Sequence, residues 1–217
     1  MPMNMRTMPS TLFIVVVGLT AGAAGQTRLV ETIPEVLARR GEDSGRHYSV
    51  GGGTVGDPSS PEYLARWLAD THTILRGRVG VPLPSYISDD ETEVYTDYLI
   101  EDPVFLYHPT PQAADRPGMP PAIRVTLPGG TITIGGLAFR SHHDELPALT
   151  TGTDCLFLLM RVGQRYLIIN GFQGAFQISN GKLVPLSKAA FAVPTAYRHA
   201  DFTQAVPELV RYISTRQ

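Results

Sequence analysis

The stretch with the greatest chemical potential is Arg140-Ser141-His142-His143-Asp144-Glu145, which places two of the chain's six histidines beside two carboxylates. Imidazoles and carboxylates within reach of one another can hold a zinc ion or move a proton. In an extended segment successive side chains point to opposite faces, so His142 would share a face with Asp144, and His143 with Glu145. Neither face then supplies more than two ligands, whereas a zinc site draws three or four from the protein. A third would have to come from His47, His72, His108, His199 or a distant carboxylate. His142 and His143 are therefore candidate metal ligands on that condition. Without a third group the stretch is a polar loop between the apolar 131–139 segment and Pro147.

Other reactive patterns fail sooner. Asp43-Ser44-Gly45 has the order found around a protease serine, but Glu42 and Arg46 flank it and it lies in a Gly/Ser-rich stretch with no scaffold to hold a triad. Gly51-Gly52-Gly53-Thr54-Val55-Gly56 lacks both the preceding apolar strand and the Gly-Lys-Ser/Thr of a phosphate loop. Cys155 precedes the apolar run Leu156-Phe157-Leu158-Leu159-Met160, where a thiol is a small core hydrophobe with a raised pKa. The acidic cluster of residues 88–93 lacks EF-hand spacing and reads as a solvated turn. No catalytic residue and no cofactor are expected from these patterns.

The elements that must position any site change character along the chain. Residues 28–41 place Leu29, Ile33, Val36 and Leu37 on one helical face, and residues 42–61 read as a Gly/Ser/Pro-rich linker. Ser60-Pro61-Glu62 predicts a capped helix start, with Tyr63 or Leu64, Trp67 and Leu68 turned inward. From residue 73 onward, short apolar stretches separated by Gly, Pro and Asn predict antiparallel strands at 73–81, 92–107, 122–128, 131–139, 154–162, 165–171, 174–179 and 182–186. Asn180-Gly181 and the Gly163-Gln164 pair mark tight hairpins. In the long 92–107 strand, alternation sets Val94, Thr96, Tyr98 and Ile100 on one face and Tyr95, Asp97 and Leu99 on the other. Tyr107, Tyr166 and Phe172 add to an aromatic set that either packs or decorates the outside of a barrel. The proline-dense residues 108–121 form an exposed connection. A last amphipathic helix near 202–213 presents Val206, Leu209, Val210 and Ile213, with Pro207 marking its first turn.

The fold class expected is mainly β: a small OB-like antiparallel barrel or strongly bent sheet, with flanking helices at the N- and C-terminal ends. Closure would remove exposed strand edges.

Residues 1–25 run from a segment charged only at Arg6, through the apolar Leu12-Phe13-Ile14-Val15-Val16-Val17-Gly18-Leu19, to the small residues Ala21 to Gly25. This is the order of a cleaved signal peptide, and the apolar run is too short for a permanent membrane span. The chain is thus expected to be secreted or periplasmic, with residues 26–60 as N-terminal helix and linker and 61–217 as a single β-barrel domain with flanking helices. A single cysteine allows no internal disulfide, so about 190 residues must be stabilised by a core. The net charge of −2 does not favour nucleic acid.

The succession of 69–79, 95–106, 123–130 and 149–178 resembles exported bacterial domains of unassigned function, whose OB-like barrel is similar to the netrin-like domain of metalloproteinase inhibitors. The resemblance spans residues 69–186 and rests on Gly77, Gly129, Gly130, Gly152, Phe157, Leu158, Gln173 and Gly174. The inhibitors' N-terminal cysteine and disulfides are missing here, so their inhibitory mechanism does not transfer. The resemblance implies a barrel fold and an exported, non-enzymatic role in binding a protein or envelope component. The alternative function is a metal-dependent hydrolase using residues 142–145.

Overall fold

The computed structural model describes residues 32–40, 46–47, 56–108, 122–142, 149–163, 165–169, 173–187 and 193–215. Residues 1–31, on which the signal-peptide expectation rests, lie outside them. In chain order the elements are α1 (Ile33–Arg40), β1 (Arg46–His47), α2 (Pro61–Trp67), β2 (Thr73–Pro82), β3 (Tyr86–Ile87), β4 (Val94–Tyr107), β5 (Ala122–Pro128), β6 (Gly130–Ile134) and β7 (Leu137–His142). They continue with β8 (Asp154–Val162), β9 (Arg165–Ile168), β10 (Ala175–Ser179), β11 (Lys182–Pro185), a 3-10 turn at Thr195–Tyr197 and α3 (Phe202–Ser214).

Five of these strands close a ring: β2 pairs β4, β4 pairs β5, β5 pairs β9, β9 pairs β8 and β8 returns to β2. All seams are antiparallel except β5–β9, which is parallel. A closed five-stranded mixed barrel of this kind is compatible with an OB-like fold. Closure explains the alternation in β4, where Thr96 and Ile100 are buried while Tyr95, Asp97 and Leu99 lie on the outer face; Val94, on the inward parity, is buried beside α1 with Ile33 and Phe139. Gly77 permits the tightest contact inside the ring, because a Cβ there would overlap Ile100 Cγ2 and meet the Glu101 carbonyl oxygen at 3.0 Å.

The apolar run of β8 is buried on both faces. Cys155, Phe157 and Leu159 point into the barrel with Leu75, Val79, Val125 and Ile168. Leu156 and Leu158 point outward into a second core with Trp67, Phe176, Leu183 and Leu209. Helices α2 and α3 therefore close one side of the barrel, over the extension that β10 and β11 add to β8. Trp67 lies in this second core, stacked on Tyr197 at 6.2 Å and edge-on to Phe176 at 6.3 Å.

Local capping follows the sequence. The Ser60 hydroxyl accepts from the Tyr63 amide at 3.1 Å, with Pro61 opening α2. The Asp201 carboxylate accepts from the Thr203 amide at 2.9 Å, so α3 begins at Phe202 and Pro207 lies inside the helix, not in its first turn.

Three expectations need revision. The 131–139 segment is two strands, not one: Gly135 and Gly136, at φ +57° and +85°, make a two-residue hairpin that continuous apolar spacing concealed. The helix expected over 28–41 is described from Ile33, where Thr32 and Glu35 form a reciprocal capping box. Within the stretch read as a linker, β1 pairs in parallel with β7, giving a small β1-β7-β6 sheet outside the barrel. Helix α1 packs on that sheet through Ile33, Val36, Leu37, Ile132 and Phe139.

Candidate functional site

The first candidate is the histidine stretch. Arg140, Ser141 and His142 finish β7, with Ser141 buried and His142 exposed, so the alternation argued from sequence holds for the half that is described. His143, Asp144 and Glu145 lie outside the described residues. The possible third ligands separate. His72 Nδ1 accepts from the Arg161 amide at 3.3 Å, at the start of β2. His108 Nε2 lies 3.5 Å from the Tyr166 hydroxyl, and its ring meets Phe105 edge-on at 5.4 Å. The His199 amide donates to the Leu183 carbonyl at 2.8 Å. His47 alone occupies a position opposite His142, as its register partner between β1 and β7. Among the described residues, no three His, Cys, Asp or Glu side chains gather as a metal site.

The acidic cluster resolves into turn chemistry. Asp90 Oδ1 accepts from the Ser88 hydroxyl at 2.6 Å, the Thr92 hydroxyl at 2.8 Å and the Thr92 amide at 3.2 Å. These donors hold the Asp90 carboxyl below its ordinary pKa and commit that oxygen to the loop. Cys155 is fully buried, and burial pushes its thiol pKa up to about 12.

The second candidate lies on the outer face of β4, β5 and β9. Inward residues Ile123, Val125, Leu127 and Ile168 fix the parity of these strands, so Asp97, Arg124, Thr126, Arg165 and Leu167 face outward. Strand β3 adds Tyr86 as the direct cross-strand partner of Tyr95, with the rings 6.1 Å apart and tilted by 40°. The Tyr86 hydroxyl donates to Asp97 Oδ1 at 3.0 Å, and the Thr126 hydroxyl donates to the same oxygen at 2.7 Å. The Tyr95 hydroxyl donates to Glu93 Oε2. Burial, and next the hydrogen bond to a carboxylate, raise the pKa of both phenols, so they remain protonated donors at neutral pH.

Arg165 reaches across this face, its guanidinium 5.0 Å above the Tyr86 ring. Thr126 is only 2% exposed although it points away from the barrel interior, which shows how closely Tyr86, Asp97 and their neighbours cover it. Two sets of hydrogen-bonding atoms remain open. Among the described residues, neither Arg165 nor Arg124 has an ion-pair partner, and Asp97 Oδ2 has no hydrogen-bond donor. The site therefore combines aromatic surface, a stacked cation with free donors and a fixed carboxylate with a free acceptor.

Sequence alternation finds Tyr95 and Asp97 on this face. Tyr98 instead packs against the barrel core, as does Tyr166, while Tyr107 packs against the helix-covered core. Phe172 lies outside the described residues. Tyr86 and Arg165 were not legible, because the two-residue β3 has no periodicity to read and Arg165 begins a strand after a turn. Comparison with protein-family models, curated proteins and solved structures gives no match.

Proposed function

We propose that the protein is an exported, non-enzymatic binding domain that engages a protein or an envelope component through the outer face of β4, β5 and β9. The observation that carries this proposal is Arg165, held over Tyr86 with its donors unpaired, beside an Asp97 carboxylate that keeps one oxygen free. A guanidinium that already rests over the Tyr86 ring loses less freedom when a ligand binds, which lowers the ordering cost of binding. The resemblance to exported barrel domains points the same way, and the leader-like residues 1–25 supply the export signal.

The test is co-sedimentation of the purified chain with an envelope fraction, comparing wild type with Arg165→Gln and Tyr95→Ala at matched thermal stability. Binding that falls in both variants is expected; binding indifferent to both overturns the proposal.

One observation favours a second function, a metal-dependent hydrolase using residues 142–145: His47 stands opposite His142 in the β1–β7 register. Two positions fall short of a zinc site unless a further ligand joins them. Stoichiometric zinc that is lost in both His47→Ala and His142→Ala would establish the metal site, and a hydrolytic activity lost together with that zinc would establish the second reading.

A further inference from the structure

We infer that the ligand of the β4–β5–β9 face is a neutral saccharide, an inference that rests on the binding role proposed above. Arg165 and Arg124 offer N–H donors without protein acceptors, whereas Asp97 Oδ2 offers an acceptor without a protein donor. Tyr86 ties the two together, since its ring lies 5.0 Å below the Arg165 guanidinium and its hydroxyl is 3.0 Å from Asp97 Oδ1. A ligand satisfying both ends must accept and donate hydrogen bonds over the width of one aromatic side chain. Vicinal hydroxyls do both, because each is a donor and an acceptor.

The aromatic component narrows the class further. Tyr95 is half-buried beside Tyr86, with its hydroxyl turned to Glu93, so the ring is fixed on the same face as Asp97. A fixed ring offers apolar area at little cost in conformational entropy. Sugar rings carry an apolar C–H face as well as their hydroxyls, and so can use the tyrosine and the Asp97–Arg165 pair together.

Charge discriminates against the other polymers. Asp97 and Glu93 repel the phosphates of a nucleic acid and the side chains of an acidic peptide, and the whole chain carries −2. A basic peptide would be repelled by Arg124 and Arg165, which have no counter-ions of their own among the described residues. The two arginines and two carboxylates balance, and a neutral polar ligand is the one that balance suits.

The experiment is calorimetric titration of the full chain with three neutral tetrasaccharides: β-1,4-linked N-acetylglucosamine, β-1,4-linked glucose and α-1,4-linked glucose. A glutamate-rich peptide and a single-stranded oligonucleotide serve as counter-probes. At least one tetrasaccharide is expected to bind saturably. Its Kd should rise about tenfold or more in Arg165→Gln and in Asp97→Asn, the effect of losing one charge-assisted hydrogen bond. Asp97→Asn keeps an acceptor for Tyr86 and Thr126 while replacing the free oxygen by a donor, so it tests the ligand contact without dismantling the cluster. The inference is overturned if no tetrasaccharide binds below about 10 mM, if a counter-probe binds in their place, or if either substitution leaves saccharide affinity unchanged. If saccharides fail while envelope binding still depends on Arg165 and Tyr95, the saccharide inference alone falls. If envelope binding is also indifferent to those residues, the binding role falls with it.

Discussion

Arg76 and Asp154 clasp β2 to β8 with a two-pronged contact, Nη2 to Oδ2 at 2.6 Å and Nε to Oδ1 at 3.3 Å. The same guanidinium lies 5.2 Å over the Phe202 ring, so the clasp also reaches the first residue of α3. The hydrogen bond to Asp154 raises the Arg76 pKa, so the guanidinium keeps its proton. Both side chains retain about two-fifths of their exposure, 43% and 39%, so solvent screening limits the pair's contribution.

Asp154→Ala is accordingly expected to cost about 0.5–1 kcal/mol, and Arg76→Ala somewhat more because the Phe202 contact is lost as well. Urea denaturation at low and high salt checks this. The Asp154→Ala deficit should shrink at high salt, whereas the additional cost of Arg76→Ala should persist through its packing component.

Gly77→Ala is expected to cost about 1–3 kcal/mol, because its Cβ would overlap Ile100 Cγ2 and press on the Glu101 carbonyl. The two strands cannot separate to make room, since Gly77 pairs with Cys155 on β8 while Ile100 sits between Val79 and Ile123 in the ring. Ile100→Leu, which removes the Cγ2 methyl at nearly constant volume, should recover part of the loss in the Gly77→Ala background. A double-mutant cycle with no coupling would show that the glycine serves another purpose.

These cases show which parts of the fold are legible in sequence. The alternation of Val94 to Ile100, the buried Cys155 and its apolar run, the Ser60 cap and the Asn180-Gly181 turn each follow from local periodicity, composition or φ preference, and the structure bears them out. The parallel β5–β9 seam and the β1–β7 pair do not follow, because strands that meet across long connections leave no trace in spacing. The candidate site divides in the same way: Tyr95 and Asp97 come from alternation, whereas Arg165 reaches Tyr86 only once the barrel has closed. The conspicuous histidine stretch meets His47, across the β1–β7 register, from a segment whose composition suggested only a linker.

Alkaline pH should destabilise the fold through two buried groups. Burial pushes Cys155 from 9.0 to about 12 and Tyr197 from 10.0 to about 12. Below about pH 9 both states of the chain hold these protons, so the stabilisation is complete; above it the unfolded chain releases them first, and stability falls toward pH 12. Each group can contribute a slope of up to about 1.4 kcal/mol per pH unit within its window. The urea midpoint should therefore fall between pH 9 and 11, and less steeply in Cys155→Ala. The thiol should also resist a disulfide reagent at pH 8 until the chain is unfolded.

Thr32→Ala is expected to loosen α1 without unfolding the barrel. The Thr32 amide donates to Glu35 Oε2 at 2.7 Å and its hydroxyl accepts from the Glu35 amide at 3.4 Å, while the Ile33 amide donates to the Glu91 carbonyl at 2.8 Å. Losing the capping hydroxyl costs about 1 kcal/mol. An eight-residue helix has little intrinsic stability to absorb that cost, because helices of this length depend on packing. The packing here is local, through Ile33, Val36 and Leu37 against the β6–β7 hairpin and Val94, and it shares no residue with the barrel core around Phe157. Amide hydrogen exchange should therefore accelerate several-fold over Ile33–Arg40 in Thr32→Ala and stay unchanged in β8. Equal acceleration in both elements would mean that α1 and the barrel unfold as one cooperative unit.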